Sequence, residues 1–358
     1  MVRAEYSAAM AADTRRLEFY SGEPCSMADE SASALDAPVA SPTWRSPAAT
    51  SLDAQGEIPL LLKRIGRGAK GSRSLERDEA AALFGWILDG LIHPAQLGAV
   101  LIALRMKGET VAEVAGVLDA VQMRLRPVRV DSARPVVAIP SYNGARKLPN
   151  LVPLLAALLA RQGIQVVVHG VRTDPGRVAT AQIWQALAWP FADDLAQSGA
   201  APFSPGLVFV PVDILCPELG RLLAHRSLLG LRNVGHSVVK LINPTSVADC
   251  LRLASYTHAE FDHLLRETLS LVDAKAMLMR ATEGEVVANI RRAQAIDQRT
   301  DGQWRQVRQS DPVAAVEVLM PERDAATTAA WIAAVLEDRQ PVPQSIADQV
   351  GAIRGAFF

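Results

Sequence analysis

Apolar residues recur at helical spacing in three consecutive stretches after residue 73, each bounded by its own start and stop signals. Ser74 is placed as the N-cap of a first helix, with Leu83, Phe84, Ile87 and Leu88 along its apolar positions. A second starts at Pro94, aligns Leu97, Val100, Leu101 and Leu104, and ends at Gly108. The third opens on a Thr110–Glu113 capping box and runs to about Leu125. Short connections make these a small bundle. From Pro135 the pattern changes to β-rich runs alternating with helices. Strands are expected at PVVAIP (135–140), IQVVVHG (164–170), GLVFVPV (206–212), CLRLASY (250–256) and AKAMLMRAT (274–282). Helices are expected over Pro149–Gln162, Glu218–Leu229 and Thr257–Val272, the last with Thr257 and Glu260 as a second capping box. Two more, Ala325–Glu337 and Gln344–Ala356, would pack outside the sheet or return to the bundle. The predicted fold is α/β: a small N-terminal helical bundle plus a larger α/β domain whose mainly parallel central sheet is flanked by helices.

Residues 1–56 are rich in Ala, Ser and Pro and show neither helical nor strand periodicity, so they are expected to be a disordered tail. The helical domain then spans 57–130 and the α/β domain 131–358. Charge divides along the same line. The net charge is −1, yet residues 1–56 hold four Lys/Arg against eight Asp/Glu, while residues 61–75 hold five cations and no acid. Hydrophobic residues make up 49% of the chain, enough for a sizeable core. The longest apolar run, LVPLLAALLA at 151–160, is too short to span a bilayer, and no signal core is visible, so no membrane association is expected. Cys25, Cys216 and Cys250 are scattered, with no CxxC pair, which fits a reducing cytoplasm.

Two segments carry candidate chemistry. The first is PVVAIPSYNGARKLPNL, a strand, a tight loop and a helix start. Free backbone N–H groups at a helix N-terminus favour an anion, and Arg146 and Lys147 add charge. The second is the glycine-spaced strap Lys63, Arg64, Arg67, Lys70 and Arg73, read as a flexible track for a phosphate backbone or as a solvated linker. Arg124, Arg126, Arg129 and Arg134 extend it toward the α/β domain.

LERDEAAALFGWILDGLIHPAQLGAVLIALRMKGETVAEVAGVLDAVQ resembles the helical domain of anthranilate phosphoribosyltransferases and of the pyrimidine nucleoside phosphorylases that share their fold. HGVR (169–172), LINP (241–244) and EGE (283–285) line up in order behind it. The resemblance implies a phosphoribosyl-site crevice, but one with several altered parts. PSYNGARK stands where the transferases have GTGGD. Their Asn-x-Ser-Thr is Asn150-Leu151-Val152-Pro153, and their KHGNR keeps only His169, Gly170 and Arg172. The histidine facing the aromatic amine aligns with Cys216, and the magnesium-holding Asp-Glu aligns with Gly284-Glu285. The loop, the strap and TEGE are instead similar to the YbiB branch of the family, which is associated with nucleic-acid binding.

That resemblance implies a sequence-tolerant nucleic-acid binder, DNA foremost, without catalytic residues or cofactor, dimeric through its helical domain. Lys63, Arg64, Arg67, Lys70, Arg73, Arg146 and Lys147 would make the contacts. A remnant anion crevice would comprise Ser141, Tyr142, Asn143, Gly144, Asn150, His169, Arg172 and Glu285. Tyr142 either stacks on a base or caps the loop over the core. Glu283 and Glu285 either hold a metal or form a turn, and Cys216 is either an activated thiol or packing. His258 and His263 lack the spacing of a metal pair, and no metal site is assigned. The alternative is a glycosyl or phosphoribosyl transferase using phosphoribosyl pyrophosphate and Mg²⁺ with an unidentified acceptor.

Overall fold

Four helices come first in the structure, a computed structural model that describes residues 51–68, 70–192, 206–311 and 321–358. They are α1 (Ser51–Ile65), α2 (Arg77–Leu88), α3 (Pro94–Lys107) and α4 (Val111–Gln122). Most of the predicted tail lies outside the described residues, but its last six positions are helical. Ala54, Ile58, Leu61 and Ile65 sit at spacings of four, three and four and are all buried, so one face of α1 is core despite Pro59 within it. Pro94 and Gly108 bound α3 as predicted, and Thr110 and Glu113 form the expected box on α4. The start of α2 differs: its N-cap is Glu76, whose backbone N–H donates to Glu79, while Ser74 accepts from Lys107.

Beyond the bundle, the described strands form one sheet in the order β3-β2-β1-β4-β5-β6-β7. These are β1 (Val136–Ser141), β2 (Gln165–Gly170), β3 (Leu207–Pro211), β4 (Leu251–Tyr256), β5 (Ala276–Arg280), β6 (Ile296–Thr300) and β7 (Gln303–Arg308). The first five are parallel, as the alternation predicts; β6 and β7 are an antiparallel hairpin that was not predicted. Its strands are polar, IDQRT and QWRQVR, and mostly unburied, so no apolar alternation marks them. The turn does: Asp301 and Gly302 both have positive φ, the Asp-Gly signature of a two-residue hairpin.

Seven helices intersperse and follow: α5 (Val152–Arg161), α6 (Thr180–Ala186), α7 (Val212–Leu215), α8 (Pro217–Leu229), α9 (Gly235–Val238), α10 (Glu260–Leu271) and α11 (Ala325–Leu336). α12 (Gln344–Arg354) ends the chain. The capping box expected at Thr257 is absent; α10 begins at Glu260 behind Ala259. Trp331, Ile332, Ile346 and Ile353 of α11 and α12 share a core with Leu154 and Leu155 of α5 and with Val166, Val168, Leu251 and Met277 of the sheet, so the last two helices cover its outer face. The opposite face, through Val167, Val208, Val210, Ala276 and Leu278, joins the bundle residues Leu83, Phe84, Leu104 and Val117 in one continuous core. Helical and α/β regions are therefore welded together rather than tethered. Among the described residues no helix is long and apolar enough to cross a membrane.

A buried carboxylate organises the bundle. Glu113 accepts from Thr110 N–H (2.9 Å), from Leu75 N–H (2.9 Å) and from the Lys107 ammonium (2.7 Å), tying the end of α3 and the exit of the strap to the start of α4. Both members of the ion pair are withdrawn from solvent. Glu113→Ala strands the Lys107 ammonium, so it is expected to lower unfolding stability by about 3–5 kcal/mol in urea melts. A loss below about 1 kcal/mol, the ordinary surface-substitution range, would show that the pair does not carry the bundle.

Candidate functional site

The carboxyl ends of the parallel strands are where an open α/β sheet binds ligands, at the point where strand order reverses. Here that point lies between β1 and β4, beneath the loop that leaves β1. The loop is held by the chain itself. Glu285 Oε1 accepts the N–H groups of Asn143 (2.8 Å) and Gly144 (2.5 Å). Glu283 accepts those of Arg146 (2.6 Å), Lys147 (2.9 Å) and Leu148 (3.3 Å), and Ala145 N–H goes to the Val178 carbonyl. Every backbone donor from Asn143 to Leu148 is thus paired internally. The donors that the loop would offer an external anion are occupied by two of the protein's own carboxylates.

Their geometry explains the fit. Glu283 (φ 55°) and Gly284 (φ 99°) form a tight turn between the bridged Thr282 and Glu285, which presents both side chains to the loop. Gly284 is also required by close approach, since a Cβ there would lie 2.2 Å from Asn143 Nδ2, which donates to the Gly284 carbonyl. Burial works to raise the Glu283 pKa, but the N–H groups of Lys147, Arg146 and Leu148 outweigh it and the carboxyl titrates below its ordinary value. Glu285 is fully buried, and burial holds its carboxyl above the ordinary value despite the two loop N–H donors. The turn expectation for these residues therefore holds, with an added task as clamps. The magnesium expectation does not fit the donor set. Glu283 has both oxygens on amide hydrogens and Glu285 has one, and no cluster of three or more metal-ligating side chains occurs among the described residues.

Most of the predicted crevice residues come together but point inward. Ser141 Oγ donates to Thr180 Oγ1 (2.7 Å), and Asn150 Nδ2 donates to Thr180 Oγ1 (3.0 Å) and to the Val178 carbonyl (3.3 Å). Tyr142 is buried with its hydroxyl 2.7 Å from His169 Nδ1, so it caps the loop over the core and cannot stack on a base. His169 lies inside β2; burial lowers its pKa to about 3, leaving a neutral structural imidazole. Cys216 is packing, not a nucleophile, because burial pushes its thiol up to about 11. Arg172 stays half-exposed, 3.5 Å from Asp213.

A cationic wall on the same side was not predicted. Arg177 donates to the carbonyls of Gly144 (3.2 Å) and Glu283 (3.3 Å), and Arg226 pairs with buried Asp174 at 2.5 Å. Burial and then the charges of Arg226 and Arg177 lower the pKa of Arg232, and burial lowers Lys240 to about 8 although Glu285 pulls it upward. Burial, with Arg232 and Arg226, also takes His236 down to about 4. The signal lay in LRNVGHSVVKLINP, a polar, cation-bearing stretch leading into the LINP already noted.

The strap is folded, not flexible. Lys63 and Arg64 belong to the last turn of α1, and the remainder is tied back by Gly66 N–H to the Leu62 carbonyl, Ser72 N–H to the Gly68 carbonyl and Arg73 N–H to the Arg64 carbonyl. Arg64 is paired with Glu79 at 2.6 Å. Lys63, Arg67, Lys70 and Arg73 are exposed and make no ion pair among the described residues. Lys63 and Arg67 border a groove of about 670 Å³ lined by Leu62, Ile65, Ile102 and Met106. Of the linking cations, Arg124 is held by Asp89 at 2.6 Å and Arg134 by the Gly163 carbonyl, and Arg126 is exposed. Arg146 and Lys147 project outward from the clamped loop, on the α/β domain.

Comparison with known proteins agrees with this architecture. The glycosyl transferase family helical bundle domain matches residues 59–124. The chain is 39% identical to the uncharacterized protein YbiB of Escherichia coli over 81% of its own length and 91% of that protein's. It is 29% identical to the anthranilate phosphoribosyltransferase of Methylocella silvestris over 62% of each chain, and 34% identical to that of Anaeromyxobacter over 48% and 50%. Those matches span less than two thirds of the enzymes' length. Among solved structures, the Thermus thermophilus anthranilate phosphoribosyltransferase aligns with a TM-score of 0.60 at 21% identity, over 82% of this chain and 87% of that one. The Saccharomyces cerevisiae enzyme in complex with PRPP and Mg aligns with a TM-score of 0.53 at 15% identity, over 86% and 85%. Joined at 39% identity to YbiB across nearly its whole length, the chain belongs to the YbiB family within the anthranilate phosphoribosyltransferase-like proteins.

Proposed function

We propose that this protein is a non-catalytic, sequence-tolerant nucleic-acid binder, cytoplasmic and homodimeric through its helical domain. One observation carries the reading: Lys63, Arg67, Lys70 and Arg73 are held in a folded strap, exposed and without counter-charges among the described residues. Such charges gain by displacing counterions from a phosphate backbone, and a strap already ordered loses little entropy in doing so. No base-reading geometry accompanies them, so sequence should matter little. The dimer reading draws on Leu60 of α1 and Met106 of α3, exposed at 62% and 79%.

A transferase reading has two supports, the cationic wall of Arg177, Arg226, Arg232 and Lys240 and the named activity of the phosphoribosyltransferase relatives. Against it stands the loop, whose donors are all engaged. A diphosphate would have to displace two carboxylates already seated on those amides.

Reversing the four strap charges (K63E, R67E, K70E, R73E) is expected to flatten the slope of log K against log salt for duplex DNA by about 3.6. The part of the salt dependence that these charges supply, about a hundred-fold between about 0.05 and 0.2 M salt, should vanish, with the melting temperature retained. Unchanged anisotropy titrations of the variant would remove the strap from the binding model. Millimolar phosphoribosyl pyrophosphate with Mg²⁺ is expected to leave the wild-type melting temperature unmoved. A rise of several degrees would transfer the conclusion to the transferase reading, because only a ligand bound by the native state raises it.

A further inference from the structure

We infer that the α/β domain carries a second nucleic-acid contact, built from Arg146, Lys147, Arg291, Arg292 and Arg323 around the clamped loop; the inference rests on the function proposed above. Three connections meet here. The β1–α5 loop supplies Arg146 and Lys147, and the β5–β6 connection supplies Arg291 and Arg292 just after Ile290, which lines a small cleft with Leu148 and Pro149. The residue run before α11 supplies Arg323, whose guanidinium donates to the Arg146 carbonyl at 2.6 Å. All five cations are exposed, and none makes an ion pair among the described residues.

Two of the acids near this rim have tasks of their own. Glu283 faces the loop's N–H groups, and Asp324 accepts from Thr327 N–H as the N-cap of α11, while Glu322 and Asp311, the latter bridged to Ala293 beside Arg292, lie nearby. Five cations within a single rim outnumber these carboxylates and repel one another in the folded protein. An anionic polymer lying across them would relieve that repulsion, and a phosphate backbone matches the spread of charge over three separate connections better than one compact anion. Glu283 acts here as a positioning residue. By drawing the N–H groups of Arg146, Lys147 and Leu148 inward it fixes the loop with both cationic side chains outward, so the former anion cradle becomes a convex display of charge.

Salt titrations of labelled duplex DNA with the full chain test this. The four strap cations account for a slope of about −3.6, so a wild-type slope steeper than that is required, by up to about 4.5 if all five rim cations engage. R291E/R292E/R323E, which leaves the strap and the loop's two carboxylate clamps in place and removes the Arg323 bond to the Arg146 carbonyl, should flatten the slope by about 2.7. If that variant does not fold, R146Q/K147Q should flatten it by about 1.8. A wild-type slope near −3.6 with both variants indistinguishable from it would overturn the rim and leave the strap standing. Absence of wild-type binding at low salt would overturn the functional reading itself, and the rim with it.

Discussion

The grip of Glu283 and Glu285 on the loop after β1 determines what the rest of this molecule can do. It joins two segments about 140 positions apart in sequence, and it does so with charge-assisted hydrogen bonds, about twice as strong as neutral ones. Glu285 is wholly buried and still bonded to two amides, so removing either side would leave a charge or two donors unsatisfied in the interior. An incoming phosphate would therefore compete against a ligand that is covalently part of the chain and never diffuses away. The resemblance to transferases holds in the scaffold and stops at this contact. The acidic turn here is seated on backbone amides.

The same logic separates cations with a structural task from those without one. Arg64, Arg77, Arg124 and Arg299 each meet a carboxylate at least fifteen residues away in sequence, and Lys107 meets one on the following helix. The exposed members of the strap and the loop rim do not. Surface pairs contribute little stability, so the contrast says less about folding than about what the free charges are available for. Because the bundle and the sheet share one continuous core, both sets of cations are carried by a single rigid body. Contacts made by one need not wait for a domain to swing into place.

Local signals in the chain were read well where they were strong. Pro94, Gly108 and the Thr110–Glu113 box bound two helices, and the β-branched runs place the five parallel strands within two residues. α1 was overlooked because Pro59 and the Ala/Ser-rich run before it mask the periodicity of Ala54, Ile58, Leu61 and Ile65. The polar β6–β7 hairpin was overlooked because one of its strands is barely buried and only Asp301-Gly302 announces it. At the site, PVVAIPSYNGARKLPNL reads as strand, loop and helix start, and the structure has a strand over Val136–Ser141, a loop, and a helix from Val152. What local sequence could not reveal was the occupant of the loop's N–H groups. The sequence leaves Glu283 and Glu285 as either metal ligands or a turn, since nothing in their own neighbourhood points to a loop about 140 residues earlier. Glu113 is similar: its capping role is written in Thr110, but its bonds to Lys107 and Leu75 depend on how the helices pack.

Filling a cradle from within also changes the side of the loop that matters. A phosphate-binding loop is useful through its concave face, where backbone hydrogens converge and side chains must be small. Once those hydrogens are satisfied, bulky residues are tolerated, and Tyr142 turns down onto His169 while Arg146 and Lys147 turn out. A buried imidazole with a pKa near 3 cannot shuttle protons at neutral pH, and a thiol raised to about 11 cannot attack. Burial thus keeps His169 and Cys216 neutral, while the strap and rim cations face solvent.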